Sequence, residues 1–207
     1  MMTEEKLREH YEYRFYNVLN PLAMKLEAHI KERVSNYPHV DRITARAKSL
    51  SRFLAKARKI EDGKPKYDDP LNQIQDQIGA RIVIFYLSDI EPMNKKVHDY
   101  YAPIEERVYI PDSVNEFGYE GNHYILFIPR DLITPDLPKE HCPNFFELQI
   151  KTLFEHAWAE ANHDLAYKPQ SELSQEQRRR VAFTAAQAWG ADYIFNELAK
   201  DLLSPKQ

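Results

Sequence analysis

Cysteine is nearly absent from this chain: its 207 residues contain one, Cys142. A single thiol can build neither a disulfide framework nor a cysteine zinc site, and it suits a reducing compartment. Glycine is scarce at five residues, so there is no Gly-rich linker. The phosphate-cradling patterns Gly-x-x-x-x-Gly-Lys and Gly-x-Gly-x-x-Gly are both missing. No apolar run approaches the ~18 residues that a membrane span requires. The opening Met-Met-Thr-Glu-Glu-Lys lacks the apolar centre of a signal peptide. Net positive charge is missing too. The formal balance is −4, so nothing draws the whole chain to nucleic acid, and any anionic ligand must be held by a local cluster. The expected address is the cytoplasm, with no membrane partner.

What remains is ordinary globular bulk, 43% hydrophobic and 29% charged, enough for one core but short for two. A single domain over 1–207 is expected. From residue 3 to 37, Leu7, Tyr11, Phe15, Val18, Leu22, Leu26, Ile30 and Val34 recur at intervals of three and four, which predicts helices with one apolar stripe. Asn20-Pro21 should break or kink that run. Val40 to Lys48 alternates as a strand, and Ser49 is placed to cap a helix to about Ile60. A turn-rich segment and a short helix from Pro70 to Gln77 lead into Ile78–Tyr86, apolar nearly throughout, as a strand covered on both faces would be. A helix from Ser88 or Asp89 to Tyr101, strands near 105–110 and 122–129, and a proline-rich loop follow. The helix from Thr152 to Tyr167 should turn Phe154, Trp158, Ala161 and Leu165 inward, and a last helix spans 174–203. Strands mixed with helices in this order predict an α+β domain: a sheet flanked by helices, with helical extensions at both ends.

The most informative stretch is Phe145 to Trp158. Phe146, Leu148 and Ile150 fall on one side of a strand, and Glu147, Gln149 and Lys151 on the other, about 7 Å apart at ~3.3 Å per residue. Thr152 with Glu155 then forms a capping box. A carboxylate, an amide and an ammonium are thus delivered to the mouth of the sheet, unless this is merely an edge strand with a solvated face. A second concentration of polar groups is cationic. Arg46, Lys48, Arg52, Lys56, Arg58 and Lys59 follow one another with no acid between Arg42 and Glu61, so intrahelical ion pairs do not explain them. Arg46 and Lys48 also arrive at a helix N-terminus, where free N–H groups favour phosphate. Asp76 and Arg81 flank the start of the central strand, and burying either one alone would be costly. They need a cleft or partners, a mutual salt bridge being the plainest choice.

Two carboxylates and several cations brought in by different strands match the needs of magnesium-dependent phosphoryl transfer. Tyr119 beside Gly118 offers a flat surface for a nucleobase. Competing constellations are weaker. His156, Glu160 and His163 share a helix face, yet lack the zinc-protease spacing and a fourth ligand. His141-Cys142 sits in the proline-rich loop with no orienting acid.

The ordered series Arg46-x-Lys48-Ser49, Lys56, Asp76-x-x-Gly79-x-Arg81, Gly118-Tyr119-x-x-x-His123, Glu147-x-Gln149-x-x-Thr152 and Trp158…His163…Tyr167-Lys168 resembles the synthetase domain of the RelA/SpoT family, in family order from about 40 to 168. The resemblance implies a mixed sheet of about five strands of nucleotidyltransferase-like type. It implies transfer of the β,γ-pyrophosphate of ATP to the 3′-hydroxyl of GDP or GTP, with Mg2+ as cofactor. Position by position, Arg46, Lys48, Ser49, Lys56 and Arg81 would hold ATP. Asp76 and Glu147 would hold the metal, Glu147 also acting as base. Tyr119, His123, Gln149 and Lys151 would hold the acceptor. Relatives of this size are often homo-oligomers, here through the terminal helices.

One departure stands out. Where the family usually supplies cations for the acceptor's 5′-phosphates, this chain reads Asp112-Ser113-Val114-Asn115-Glu116-Phe117, with Glu120 after the tyrosine. Each acid would repel a nearby phosphate by ~1 kcal/mol in water. Either another cation, such as Arg107, Arg130 or Lys151, substitutes, or the acceptor is one without a 5′-diphosphate, such as the 3′ end of tRNA. A non-catalytic nucleotide-binding module is the remaining alternative.

Overall fold

A computed structural model describes residues 2–34, 36–109, 121–167 and 173–203. The expectations placed on Gly118, Tyr119, the acids at 112, 116 and 120, and Lys168 lie outside the described residues.

The N-terminal stripe folds as α1 (Glu4–Arg14), a π-helical turn (Phe15–Leu19) and α2 (Asn20–Val34). Pro21 widens the helix instead of breaking it. The Asn20 N–H reaches back five residues to the Phe15 carbonyl, and such a bulge makes room for the proline ring. Tyr11, Val18, Leu22, Leu26 and Ile30 are all buried, so the stripe is core within one chain and leaves little apolar surface for an oligomer seam.

After α2 come β1 (Val40–Ala47), α3 (Leu50–Ala57), β2 (Ile60–Glu61) and β3 (Lys64–Pro65). Ile60, the expected end of that helix, is 64% exposed, because α3 stops short and Ile60 opens a hairpin. Asp62 and Gly63 both take positive φ in its turn, the backbone that a two-residue hairpin requires. The helix expected to reach Gln77 ends early, as α4 (Pro70–Gln73). Then follow β4 (Ile78–Ile84), α5 (Ile90–Tyr100), β5 (Pro103–Tyr109), β6 (Gly121–Phe127), β7 (Phe145–Thr152), α6 (Leu153–Tyr167) and α7 (Gln175–Leu203).

Five strands form one sheet in the order β1-β4-β7-β6-β5. β4 and β7 run parallel and the other pairs are antiparallel. The Phe145 strand therefore lies in the middle of the sheet and is no edge. One face carries Ile43, Ala80, Ile82, Leu148, Ile150, Tyr124 and Leu126, packed against α2 and α5 in a single core. The other face is polar at its centre, with Val83 apolar on β4 and Ile125, Phe127 and Phe145 apolar on β6 and β7. β4 is thus covered on one side only at its entrance, contrary to the expectation of cover on both.

Both capping boxes form. Thr152 and Glu155 exchange backbone–side-chain bonds of 2.9 and 3.1 Å, and Ser174 and Gln177 do so at 2.8 and 3.2 Å. Ala161 and Leu165, expected on the core side of α6, are exposed. The helix turns its polar face to the sheet, and Leu165 is 56% exposed. Among the described residues no helix is long and apolar enough to cross a membrane.

Candidate active site

Strand register assembles the polar face. One row across all five strands reads Thr44, Arg81, Gln149, His123 and Arg107. The row before it reads Arg46, Gly79, Glu147, Ile125 and Glu105. Side chains in register share a face, so residues scattered over a hundred positions of sequence come to lie on one surface. Gly79 leaves open space between Arg46 and Glu147, with nothing within 4 Å of where a Cβ would sit.

Asp76 does not pair with Arg81. Its Oδ2 accepts from Lys48 at 3.0 Å and Lys56 at 2.9 Å. Burial alone would raise its pKa, but the two lysines more than offset that and hold the carboxyl below its ordinary value. The other oxygen, Oδ1, is buried with no hydrogen-bond partner. Glu147 accepts from His123 at 2.7 Å and from Gln149 at 3.1 Å. Its pKa is raised by burial and by Asp76, yet lies below its ordinary value because His123 and Gln149 stabilise the anion. Asp76 and Glu147 line the same cavities.

Arg81 reaches the helix instead. It donates to Glu160 at 2.7 Å and Gln149 at 3.3 Å, and lies 2.8 Å from His156 Nδ1. Burial and then Arg81 lower the pKa of His156. Arg52 approaches His163 at 3.5 Å. The α6 face that carried a conceivable metal trio is therefore held to arginines, and among the described residues no group of three or more His, Cys, Asp or Glu is placed to bind a metal. Lys151 is buried at 3% exposure. Burial and then Arg81 push its pKa down to about 7 against the pull of Glu155, Glu160 and Glu147.

Two cavities meet at the carboxylates. The larger, of about 780 Å³, is bounded by β1, the start of α3 and α6, and takes in Arg46, Lys48, Ser49, Arg81, Gln149 and Lys151. The smaller, of about 380 Å³, opens toward the β2–β3 hairpin and β5. Asp76, His123 and Glu147 line both. Gln149 and Lys151, expected with the acceptor, stand with the cationic group in the larger cavity. Lys56, expected there, lines the smaller one.

Three positioning residues escaped the sequence reading. The Tyr11 hydroxyl donates to the Lys48 carbonyl at 2.7 Å, its ring stacked on Phe53. Buried Arg14 donates to Gln77 Oε1 at 3.1 Å, and Gln77 donates to the Leu71 and Ile74 carbonyls at 2.8 and 2.9 Å. These bonds fix the segments that carry Lys48 and Asp76. In sequence, Tyr11 reads as stripe and Arg14 as a charge in the last turn of a helix. Only a helix wider than its apolar stripe hints at them.

The fold and site define an α+β domain with a cation-lined cavity beside two carboxylates. A model of the region found in RelA / SpoT proteins matches residues 45–172, and the chain belongs to that family. It is 23% identical over 202 residues to the GTP pyrophosphokinase YjbM of Bacillus subtilis, spanning 94% of this chain and 90% of that protein. Among solved structures it resembles a GTP pyrophosphokinase family protein from Streptococcus pneumoniae (25% identity, TM-score 0.72, 97% of this chain and 96% of that one). It also resembles the small alarmone synthetase 1 of Bacillus subtilis bound to its product pppGpp (23% identity, TM-score 0.71, 96% and 100%).

Proposed function

We propose that this protein is an ATP-dependent pyrophosphokinase that transfers the β,γ-pyrophosphate of ATP to the 3′-hydroxyl of GDP or GTP, yielding (p)ppGpp-type alarmones. The observation that carries the reading is the meeting of two cavities at Asp76 and Glu147, one of them lined by cations from β1, α3, β4 and β7. The acceptor 3′ oxygen attacks the β-phosphorus, the bond to the α,β-bridging oxygen breaks, and AMP leaves with those electrons. The hydroxyl proton passes to Glu147, whose hydrogen bonds to His123 and Gln149 hold the carboxylate anionic and aimed at the junction. Arg46, Lys48, Ser49 and Arg81 hold the donor phosphates, with Gln149 and Lys151 completing that wall. Lys56 sits at the boundary through its bond to Asp76.

The donor set suits Mg2+. Asp76 offers a buried oxygen with no partner, Glu147 lies near it, and this cation takes one or two carboxylates, with waters and substrate phosphates filling its other positions. When bound by Asp76 and Glu147 it would neutralise charge on the transferring phosphates.

A homo-oligomer built on α7 accompanies this reading. Ala185, Asp192 and Asn196 are the buried residues of α7, whereas Phe183, Ile194 and Leu202 are 63, 60 and 76% exposed. The helix thus turns its larger apolar side chains away from its own domain.

Incubation with γ-labelled ATP and, in turn, GDP, GTP, ATP and bulk tRNA tests the function. Label should enter GDP and GTP. Label entering tRNA alone would replace this reading with the tRNA-end alternative.

A further inference from the structure

A further cavity, of about 310 Å³, lies between the start of α1, the end of α3, the β2–β3 hairpin and α4. It shares no residue with the larger catalytic cavity. Its size is at the lower end of what a small organic molecule fills, and its lining is mostly apolar, as such pockets are. Leu7 and Leu54, 8 and 3% exposed, form the floor together with half-buried Leu71. Met2 and Ile60, both exposed, line it from the rim.

Four charged side chains complete the lining: Glu4, Arg58, Asp68 and Asp69. Glu4 and Arg58 neutralise each other through two hydrogen bonds that join α1 to α3. Asp68 and Asp69 have no such cation, since neither makes an ion pair among the described residues. The Asp69 carboxylate accepts from the Asn72 side chain at 2.6 Å. Arg14 is close enough to sense Asp69, but it donates to the Leu71 carbonyl and to Gln77. An apolar chamber with two surplus carboxylates complements a ligand that has an apolar body and one cationic head. It repels a ligand that carries a carboxylate or phosphate.

Two elements connect this chamber to the catalytic junction. Tyr67 lines both it and the smaller catalytic cavity. On α3, Ala57 lines the chamber while the adjacent Lys56 reaches Asp76 at 2.9 Å. The hairpin that forms part of the wall pairs at two positions, and both of its strands are exposed. A two-stranded ribbon of that kind is marginal in water, so a ligand packed on Ile60 and Pro65 would order it. We propose that this cavity binds a small organic cation with an apolar body, and that its occupancy is coupled through Tyr67 and α3 to nucleotide binding at the catalytic junction. The coupling rests on the pyrophosphokinase reading, whereas the site itself does not.

The probe is phenylbutylamine, with phenylbutanol and phenylbutyrate as neutral and anionic counterparts of the same body. Methyl NMR on the intact protein should show perturbations by the amine centred on Leu7, Leu54, Ile60 and Leu71. The amine should bind about ten-fold more tightly than the alcohol, because two carboxylates act on its charge, and the carboxylate probe more weakly still. Asp68→Asn/Asp69→Asn should remove the preference for amine while the alcohol stays within about two-fold, by the same reasoning. Ala57→Trp fills the chamber and should abolish binding of both, with thermal melts confirming that each variant folds. Saturation with GDP and an α,β-methylene analogue of ATP should tighten the amine about five-fold, and by linkage the amine should tighten the nucleotides equally. Equal binding of amine and carboxylate, or perturbations centred away from these methyls, would overturn the site. Unchanged amine affinity in a protein with both nucleotides bound would overturn the coupling. If the amine binds as expected but the protein transfers nothing from ATP, the pyrophosphokinase reading fails and the site stands.

Discussion

Asp76 joins the two cavities, and its chemistry differs from what the sequence alone implies. As one of two neighbouring acids expected to hold the metal, it should on neutralisation leave stability unchanged or improve it. With Lys48 and Lys56 on one oxygen, Asp76→Asn instead strands two lysines beside each other. We expect a loss of roughly 1–3 kcal/mol in denaturant titrations at neutral pH. Because the folded pKa is lowered, this contribution is present above the unfolded value and fades as pH falls through the folded one. Both Asp76→Asn and Glu147→Gln should cost transfer at least ~10²-fold; full turnover in either variant would remove the assignment. Lys151 makes a separate prediction. Unfolded lysine titrates near 10.5 and the buried one near 7. Between these values the unfolded chain binds more protons, so stability rises with pH across that window and the penalty is complete below it. Lys151→Met should flatten this rise, which melts at pH 6, 8 and 9.5 would show. Parallel pH profiles for the two proteins would mean that the ammonium is solvated.

At the scale of elements, Thr152 does more than cap α6. Its hydroxyl accepts from the Glu155 N–H and donates to buried Asp192 on α7 at 2.6 Å, linking the catalytic strand to both C-terminal helices. Thr152→Val keeps the shape but removes the cap and a buried hydrogen bond. The expected cost is about 1–3 kcal/mol, together with a raised KM for ATP, because His156 and Glu160 follow the cap by one and two turns. Thr152→Ser should restore most of both. A stable Thr152→Val with unchanged kinetics would separate α6 from the site. The capping box was legible because it is a local four-residue pattern; the bond to Asp192 was not, since it spans forty residues.

At the scale of the whole molecule, α7 carries Trp189, Tyr193, Phe195 and Leu198, each roughly half exposed. Light scattering on the wild-type protein at micromolar concentration should report a multiple of the chain mass. Trp189→Glu/Phe195→Glu should return it to a monomer, since charges introduced on a seam go unpaired. A monomeric wild type would leave this apolar face without the partner assigned to it.

Sequence alone determined what depends on near neighbours. Period two in Phe145–Lys151 gave a strand with Glu147, Gln149 and Lys151 on one side, and interval spacing gave the helices. The acid-free run after Arg42 marked the cationic junction that lines the larger cavity. Tertiary structure decided what depends on distant pairing. Strand order put Glu147 in the middle of the sheet and His123 beside it, and placed Arg81 under α6 instead of against Asp76. It set Lys59 in a cavity wall apart from Arg46 and Lys48. It also turned Tyr11 and Arg14 from stripe and surface charge into supports for Lys48 and Asp76. The reason is physical: a side chain's direction follows from the periodicity of its own element, whereas its partner is set by which strand lies alongside. That choice is made by burial of the whole apolar face at once.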